Sequence, residues 1–395
     1  MATSTARRPA PRAARRPARS RLVVRPRHRL RRIALVAALV ALVPAAFSYL
    51  IAISEPSNSS LGIRTVEWLR EHGAAGIVAQ VESTYYALTA PSKGGPTLRA
   101  LPRVGAQGAG ASSATATRQR SVAVYRPPRV APLIYPALPG EGEWRPARSE
   151  PVANAPLLVT TLRDQPEYPR VVAGLAWIDT SRTTVILHPG RQEPSVELPR
   201  GPMEVPQAGR ERLLATFNSA FKLSDSHGGV VLNGHTYAPM RNGQATFVGY
   251  ANGSVNVIEW VNGATAPSSV VFARQNLPLI VDNGKPSPNL NNGEWGATVG
   301  NAVLVWRSGI GVDSRGNLIY AAGNDQSAQS LANALVRAGA VRAMELDINS
   351  YWVSFITYGG PGAAAPTNLL PDMNRPATRY LEPDDRDFFT VYSRG

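Results

Sequence analysis

The 395-residue chain has no cysteine, which excludes disulfide staples, thiolate nucleophiles and cysteine-ligated metal centres. Histidine is scarce. His28, His72, His188, His227 and His235 fall without metal-ligand spacing, and only His227 and His235, across Gly228-Gly229, are expected to meet. No third or fourth ligand is evident for them, so no zinc site is expected. The sequence has no GxGxxG-helix, P-loop, HExxH or GxSxG pattern, which removes support for nucleotide-cofactor, zincin and serine-hydrolase chemistry. Acids are absent from residues 1–32, which hold twelve arginines. Removing those twelve from the 42 basic residues leaves 30 against 27 acids, so the rest of the chain carries +3 of the total +15. A nearly neutral body does not point to nucleic acid as a partner.

The arginine run gains its meaning from the apolar stretch beside it. Ile33 to Ile53 is 21 residues without a charge, enough to cross a hydrocarbon core of about 30 Å at about 1.5 Å per residue. Pro44 is tolerated in such a helix. With no clear small-residue cleavage site, residues 33–53 read as a transmembrane signal anchor, and a cleaved secretion signal is the alternative. The positive-inside rule keeps residues 1–32 cytoplasmic and places everything after residue 53 outside, on a single-pass cell-membrane protein.

Residues 54–90 read as two short helices carrying Ile63, Val66, Trp68 and Leu69, then Ile77, Val78, Val81 and Tyr85. They lie either on a membrane surface or on the body of the protein. Residues 91–150, rich in Pro, Gly, Ala and Ser, read as a flexible linker that stiffens toward its end. Residues 151–395 form the globular domain. Short strand patterns such as LLVTTL and VVAGLAWI alternate with turn signals, and Asn252-Gly253 marks a hairpin. The fold class is α+β, a strand-rich mixed sheet domain with few helices.

The domain is organised around Ser327 to Trp352. Ser327 is an N-cap, Leu331, Ala332, Leu335 and Val336 form an apolar stripe, and Gly339 stops the helix. From Val341 the period becomes two, which puts Val341, Ala343, Glu345, Asp347 and Asn349 on one face. Two carboxylates on one face raise at least one pKa, or else pair with arginines such as Arg342 or Arg274.

In order along the chain, LATFNSAFK, the glycine pair with its hairpin, LPLIVDNGK, WRSGIGVDSRGNLIYAAGND, the SAQSLANALVRAGA helix and AMELDIN together resemble the phosphodiester glycosidase family. The family includes the lysosomal enzyme that removes N-acetylglucosamine from a sugar-phosphate diester. The resemblance covers roughly residues 150–360. Three departures mark a divergent branch. Ser219-Ala220 replace glycines after Asn218, Ile348-Asn349-Ser350 replace a glycine run after Asp347, and Asn324-Asp325 stands where an Asp-Gly turn is usual.

The resemblance implies hydrolysis of sugar-1-phosphodiester bonds, here in envelope glycans; an exopolysaccharide-processing enzyme acting on ordinary glycosides is a further reading that requires two carboxyl groups at glycosidase separation. That chemistry needs a carboxylate at the oxocarbenium-like centre and cationic or amide donors at the phosphate. Asp347 is the expected general base or nucleophile, with Glu345 as a second acid/base or pKa-setting neighbour. Arg307 matches the family's arginine and is expected on the phosphate. Asn218 and Lys222 are expected to contact sugar hydroxyls and phosphate. Arg274, with Gln275 and Asn276, is a further candidate contact. Asp282 belongs either to a tight turn or, as the resemblance implies, beside the site. Asp325 and Asn349 complete the set. No cofactor is required, although Asp325, Asp347 and Asn349 offer calcium-type oxygen ligands. Four of the seven tryptophans, Trp260, Trp295, Trp306 and Trp352, read as core. The rival function is a catalytically silent glycan-binding or scaffold domain of the cell envelope.

Overall fold

The computed structural model describes residues 27–105, 125–288, 290, 295 and 304–394. The basic residues 1–26 and the centre of the expected linker, 106–124, lie outside them. The chain divides into two compact units, Met1–Glu55 and Pro56–Gly395.

The described part of the first unit is helix α1, Arg27–Ser54. Its segment Arg31–Ser54 is long and apolar enough to cross a membrane, a property that signal sequences share. Its large apolar side chains, among them Leu35, Leu39, Val43 and Phe47, are exposed.

The second unit starts with α2, Leu61–Leu69, and α3, Ala75–Thr89. Gly73 at φ 87° turns the chain between them, a conformation a Cβ would disfavour. Arg70 joins the two helices by pairing with Glu67 at 3.3 Å and Glu82 at 2.6 Å. After them come β1 (Arg145–Pro146), β2 (Leu157–Leu162), β3 (Ala173–Ile178), β4 (Thr183–His188), β5 (Leu213–Asn218) and a single turn α4 (Leu223–Ser226). Next are β6 (Val230–Leu232), β7 (His235–Ala238), β8 (Ala245–Tyr250), β9 (Val255–Glu259), β10 (Val270–Gln275), β11 (Val281–Asp282) and β12 (Lys285–Pro286). The last elements are β13 (Val305–Asp313), β14 (Leu318–Gln326), α5 (Ala328–Arg337), β15 (Ala340–Ile348), β16 (Phe355–Gly360), β17 (Ala364–Asn368) and β18 (Phe388–Ser393).

These strands form three sheets, ordered β1-β2-β3-β14-β13-β15-β11-β12, β7-β6-β10-β8-β9 and β17-β16-β5-β18-β4. The strand-rich α+β reading holds. Every described hydrogen-bonded pair is antiparallel, for example β13 with both β14 and β15, so the parallel pairing implied by a mixed sheet is not seen among the described residues. One apolar core joins all three sheets through Ile310, Tyr320 and Met344, Phe247 and Phe272, and Phe217, Phe355 and Phe389. Burial of these large side chains is the main stabilising term.

The other face of the longest sheet is covered by α5. Ser327 caps that helix as expected: its hydroxyl accepts from Ser330 N at 3.0 Å while Ser330 Oγ accepts from Ser327 N at 2.9 Å, satisfying two donors at the helix start. Leu331 and Leu335 are buried against the sheet. Gly309 on β13 permits the close approach, because a Cβ there would lie 2.9 Å from Met344 O and 3.1 Å from Leu335 Cδ1.

Residues 125–150 of the expected flexible linker pack against the body. Arg145↔Val159 and Pro146↔Leu158 pair β1 with β2, and Val130 N donates to Gly142 O at 2.9 Å. Arg163 Nη2 meets Glu141 Oε2 at 2.7 Å with both side chains buried. The composition of 125–150 cannot build a core of its own, but here its backbone polar groups are satisfied against an existing sheet. Because α2 and α3 belong to the same compact unit as the sheets, this segment does not act as a spacer between them and the body.

A candidate active site at the end of β15

β15 runs from the face under α5 to a cavity at its C-terminal end. Register shifts between Arg307 and Gly309 on β13, where the partners step from Ile348 to Glu345. The extra residue on β15 breaks the strict alternation expected for Glu345 and Asp347, and the two acids acquire separate partners. Arg307 Nη1 donates to Glu345 Oε1 at 2.6 Å, and Arg386 Nη2 donates to Asp347 Oδ2 at 2.7 Å.

Both carboxyls are raised to about 7, and in each case burial is the leading cause, opposed by the arginine. Neither acid contributes to the shift of the other. Burial is the leading cause for both, and for Asp347 the negative charges of Asp387 and Glu67, not of Glu345, add to it.

Asp347 opens onto a cavity of about 420 Å³ lined by Phe221, Lys222, Asn349, Trp352 and Arg386 from the sheet body and by Glu67, Arg70, Glu82 and Tyr86 from α2 and α3. The helix pair therefore forms one wall of the candidate site. Lys222 is held there by Glu67, and by Glu71 at 3.3 Å. Arg386 lies 4.8 Å from the centre of the Trp352 ring, and its buried Nε has no hydrogen-bond partner. A buried donor without a partner beside a carboxylate is suited to an incoming anion.

Asn218 is consumed by the scaffold. Its Nδ2 donates to Ser308 Oγ at 2.9 Å, its Oδ1 accepts from Tyr320 Oη at 2.9 Å and Ser354 N at 3.0 Å, and Ser308 Oγ donates to Asp347 O at 2.7 Å. Asp347 N also donates to Ser219 O at 2.9 Å. Asn218 thus fixes the backbone that carries Asp347. Asn349, at φ 83°, lines the cavity and turns the chain, with its Oδ1 accepting from Tyr351 N at 3.0 Å.

The other expected residues lie elsewhere. Arg307 is buried and points its donors at Glu345, Gln326 O and Trp295 O. Arg274 is buried in an ion pair with Asp387 at 2.9 Å and also donates to Phe221 O. Asp282 is exposed in a turn with Asn283. Asp325 lines a separate cleft that also contains Asp372, and burial raises its pKa to about 6. Asp325 therefore does not join Asp347 and Asn349 as an oxygen-ligand set. Among the described residues no group of three or more His, Asp or Glu is arranged to hold a metal.

Arg386 and the helix-pair residues were not anticipated. The run Pro383-Asp384-Asp385-Arg386-Asp387 lies beyond the stretch that resembles the family, but its density of charge is a signal in its own right. Asp384 takes Arg379 at 2.7 Å, Arg386 takes Asp347 and Asp387 takes Arg274.

Residues 211–347 match the phosphodiester glycosidase family, within the stretch where the sequence resembles it. The matched stretch ends at Asp347 and includes neither Arg386 nor the helix pair. Among solved structures the chain is similar to the catalytic domain of zebrafish N-acetylglucosamine-1-phosphodiester alpha-N-acetylglucosaminidase auto-inhibited by pro-peptide. That match has 17% identity and a TM-score of 0.41, over 64% of this chain and 88% of the other. It is also similar to a hypothetical protein from Synechocystis, at 14% identity and a TM-score of 0.33, over 63% of this chain and 65% of the other. A putative exported protein from Burkholderia pseudomallei gives 12% identity and a TM-score of 0.33, over 58% and 75%. No curated protein matches the chain significantly.

Proposed function

We propose that the protein is a membrane-anchored hydrolase that cleaves sugar-1-phosphodiester bonds of cell-envelope glycans outside the cytoplasm. The observation that carries this reading is Asp347, buried at the end of a strand and open to a cavity that also holds the cations Lys222, Arg70 and Arg386. A glycosyl phosphodiester needs that combination, a carboxylate at the sugar carbon and positive charge at the departing phosphate.

In the proposed reaction the bond between the anomeric carbon and the phosphate oxygen breaks, and water supplies the new hydroxyl. The products are free sugar and a phosphomonoester. Asp347 is the general base or nucleophile at the anomeric carbon. A phosphate diester leaves as a weak base, so it requires charge stabilisation more than protonation, which Arg386 Nε and Lys222 are placed to give. Glu345 acts from one layer deeper, through Arg307 and the β13–β15 register. Support for the anchor comes from α1.

A glycan-binding domain without turnover is the second reading, and one observation favours it: Arg307, matched to the family's arginine, is spent on Glu345. To separate the two, the full chain in detergent is incubated with a panel of sugar-1-phosphate diesters, and free sugar and phosphomonoester are followed by mass spectrometry. Equimolar products that disappear in Asp347→Asn establish the hydrolase. Binding of sugar phosphates without products across the panel establishes the binding domain.

A further inference from the structure

We propose that the outer face of α3 is a bilayer-docking surface, so that the helix pair walls the cavity on one side and lies on lipid on the other. The inward side of α3 holds Val78, Ala79, Glu82 and Tyr86, of which the last three line the cavity. The outward side presents Ile77, Val81, Tyr85 and Leu88, which are 72%, 64%, 62% and 83% exposed. Their spacing of four, four and three residues makes a continuous stripe along the helix.

Glu82 is the only charged residue between Ala75 and Thr89, and it is turned inward to Arg70. The exposed face is therefore uncharged as well as apolar. An exposed helix face on a water-soluble body ordinarily carries charge, and a contiguous apolar patch marks a surface that meets another apolar phase.

Chain connectivity selects lipid as that phase. Helix α1 ends at Ser54, and by Ser57 the chain is already fastened to the body. Ser57 Oγ and Ser59 Oγ both donate to Asp385 Oδ2 at 2.5 Å, and Asn58 Nδ2 donates to Asp384 Oδ2 at 2.9 Å. Only Glu55 and Pro56 separate the candidate span from this clamp. Two residues, about 7 Å of extended backbone at most, leave no stalk in the sequence between the candidate span and the clamped residues. An uncharged stripe of Ile, Val, Tyr and Leu then has the character of an interfacial amphipathic surface. This inference rests on the reading of α1 as a bilayer-spanning anchor.

The absence of native cysteine makes the test direct. The full chain is labelled with an environment-sensitive fluorophore at single cysteines introduced by Leu39→Cys in α1, Val81→Cys and Leu88→Cys on the stripe, and Val261→Cys, an exposed site between β9 and β10. Each is reconstituted into phosphatidylcholine–phosphatidylglycerol vesicles with brominated acyl chains. The expected result is that labels at 39, 81 and 88 lose most of their emission relative to unbrominated vesicles while the label at 261 keeps its own. Quenching at 39 with none at 81 and 88 overturns the docking surface and leaves the anchor intact. No quenching at 39 overturns the anchor reading and the docking inference with it. Emission at 81 and 88 that shifts blue with protein concentration, indifferent to bromine, assigns the stripe to a second copy of the chain and also overturns the lipid assignment.

Discussion

Arg386 Nη2 sits 2.7 Å from Asp347 Oδ2, joining the last strand region to the end of β15 across 39 residues of sequence. The contact pairs the carboxylate that β15 brings to the cavity, and it leaves a second buried donor of the same guanidinium, Nε, without a partner. Asp347→Asn keeps the shape and removes the charge. We expect kcat/KM for a glycosyl phosphodiester to fall by about 10²–10⁴, the range of a positioned acid or base, together with a loss of stability, because Arg386 is left buried without its carboxylate. Steady-state kinetics and a melting curve on the same preparation check this.

Arg386→Met removes the partner and leaves a buried carboxylate. Breaking a buried pair in this way costs about 3–5 kcal/mol, which denaturant unfolding reads directly. Where the variant still folds, Asp347 loses the charge that opposes its burial. Its pKa rises further, and the acid limb of the activity profile moves to higher pH. A merely structural role for Arg386 would lower stability and leave that limb in place.

The pH dependence of the unaltered protein has its origin in the same burial. If Asp347 works as a carboxylate, kcat/KM rises with pH through an apparent value of about 7, shared with Glu345 where the two titrate in the same range. His188, pushed down to about 4 by burial, adds no limb there. Stability runs the other way. Both acids are raised from ordinary values of 3.8 and 4.5, so between those values and about 7 the folded chain binds more protons than the unfolded one. Their contribution is complete below the ordinary values and is lost as pH rises through about 7. Unfolding midpoints at pH 5 and pH 8 should show the loss, and Asp347→Asn should reduce it.

Glu67→Gln tests the wall supplied by α2. Glu67 pairs with Lys222 and adds a negative charge that raises the pKa of Asp347. Its removal frees Lys222 for an anionic substrate. We expect KM for the diester to fall and the acid limb to move to lower pH, with kcat nearly constant. An unchanged KM would place Lys222 outside the binding set.

Gly309→Ala probes the packing of α5 on β13. The added methyl meets a backbone carbonyl, Met344 O, at 2.9 Å, and neither layer can yield freely. Overpacking of this kind costs about 1–3 kcal/mol, measurable as a lower denaturation midpoint without change at the cavity residues.

Much of this protein is local, and the sequence determined that part. Ser327 and Gly339 bound α5 because capping and left-handed termination act within a few residues, and the apolar run of α1 is a property of composition. Glu345 and Asp347 were marked as acids with perturbed titration because a buried strand cannot carry two carboxylates without consequence. The ordered motifs were enough to carry the resemblance to the phosphodiester glycosidase family, which residues 211–347 match.

Partnership was decided only by the tertiary structure. Which arginine meets which acid depends on a one-residue register shift at the end of β15 and on a C-terminal charge run that lies outside the matched stretch. Arg307 looked like a phosphate ligand and became the partner of Glu345, while Arg386 took the place beside Asp347. Asn218 became a strut for the backbone of Asp347. Whether α2 and α3 lie on a membrane surface or on the body was open in the sequence, and the helix pair becomes a wall of the cavity. Contacts between residues hundreds of positions apart are set by how the sheets close on their shared core, and no local pattern in the chain encodes that closure.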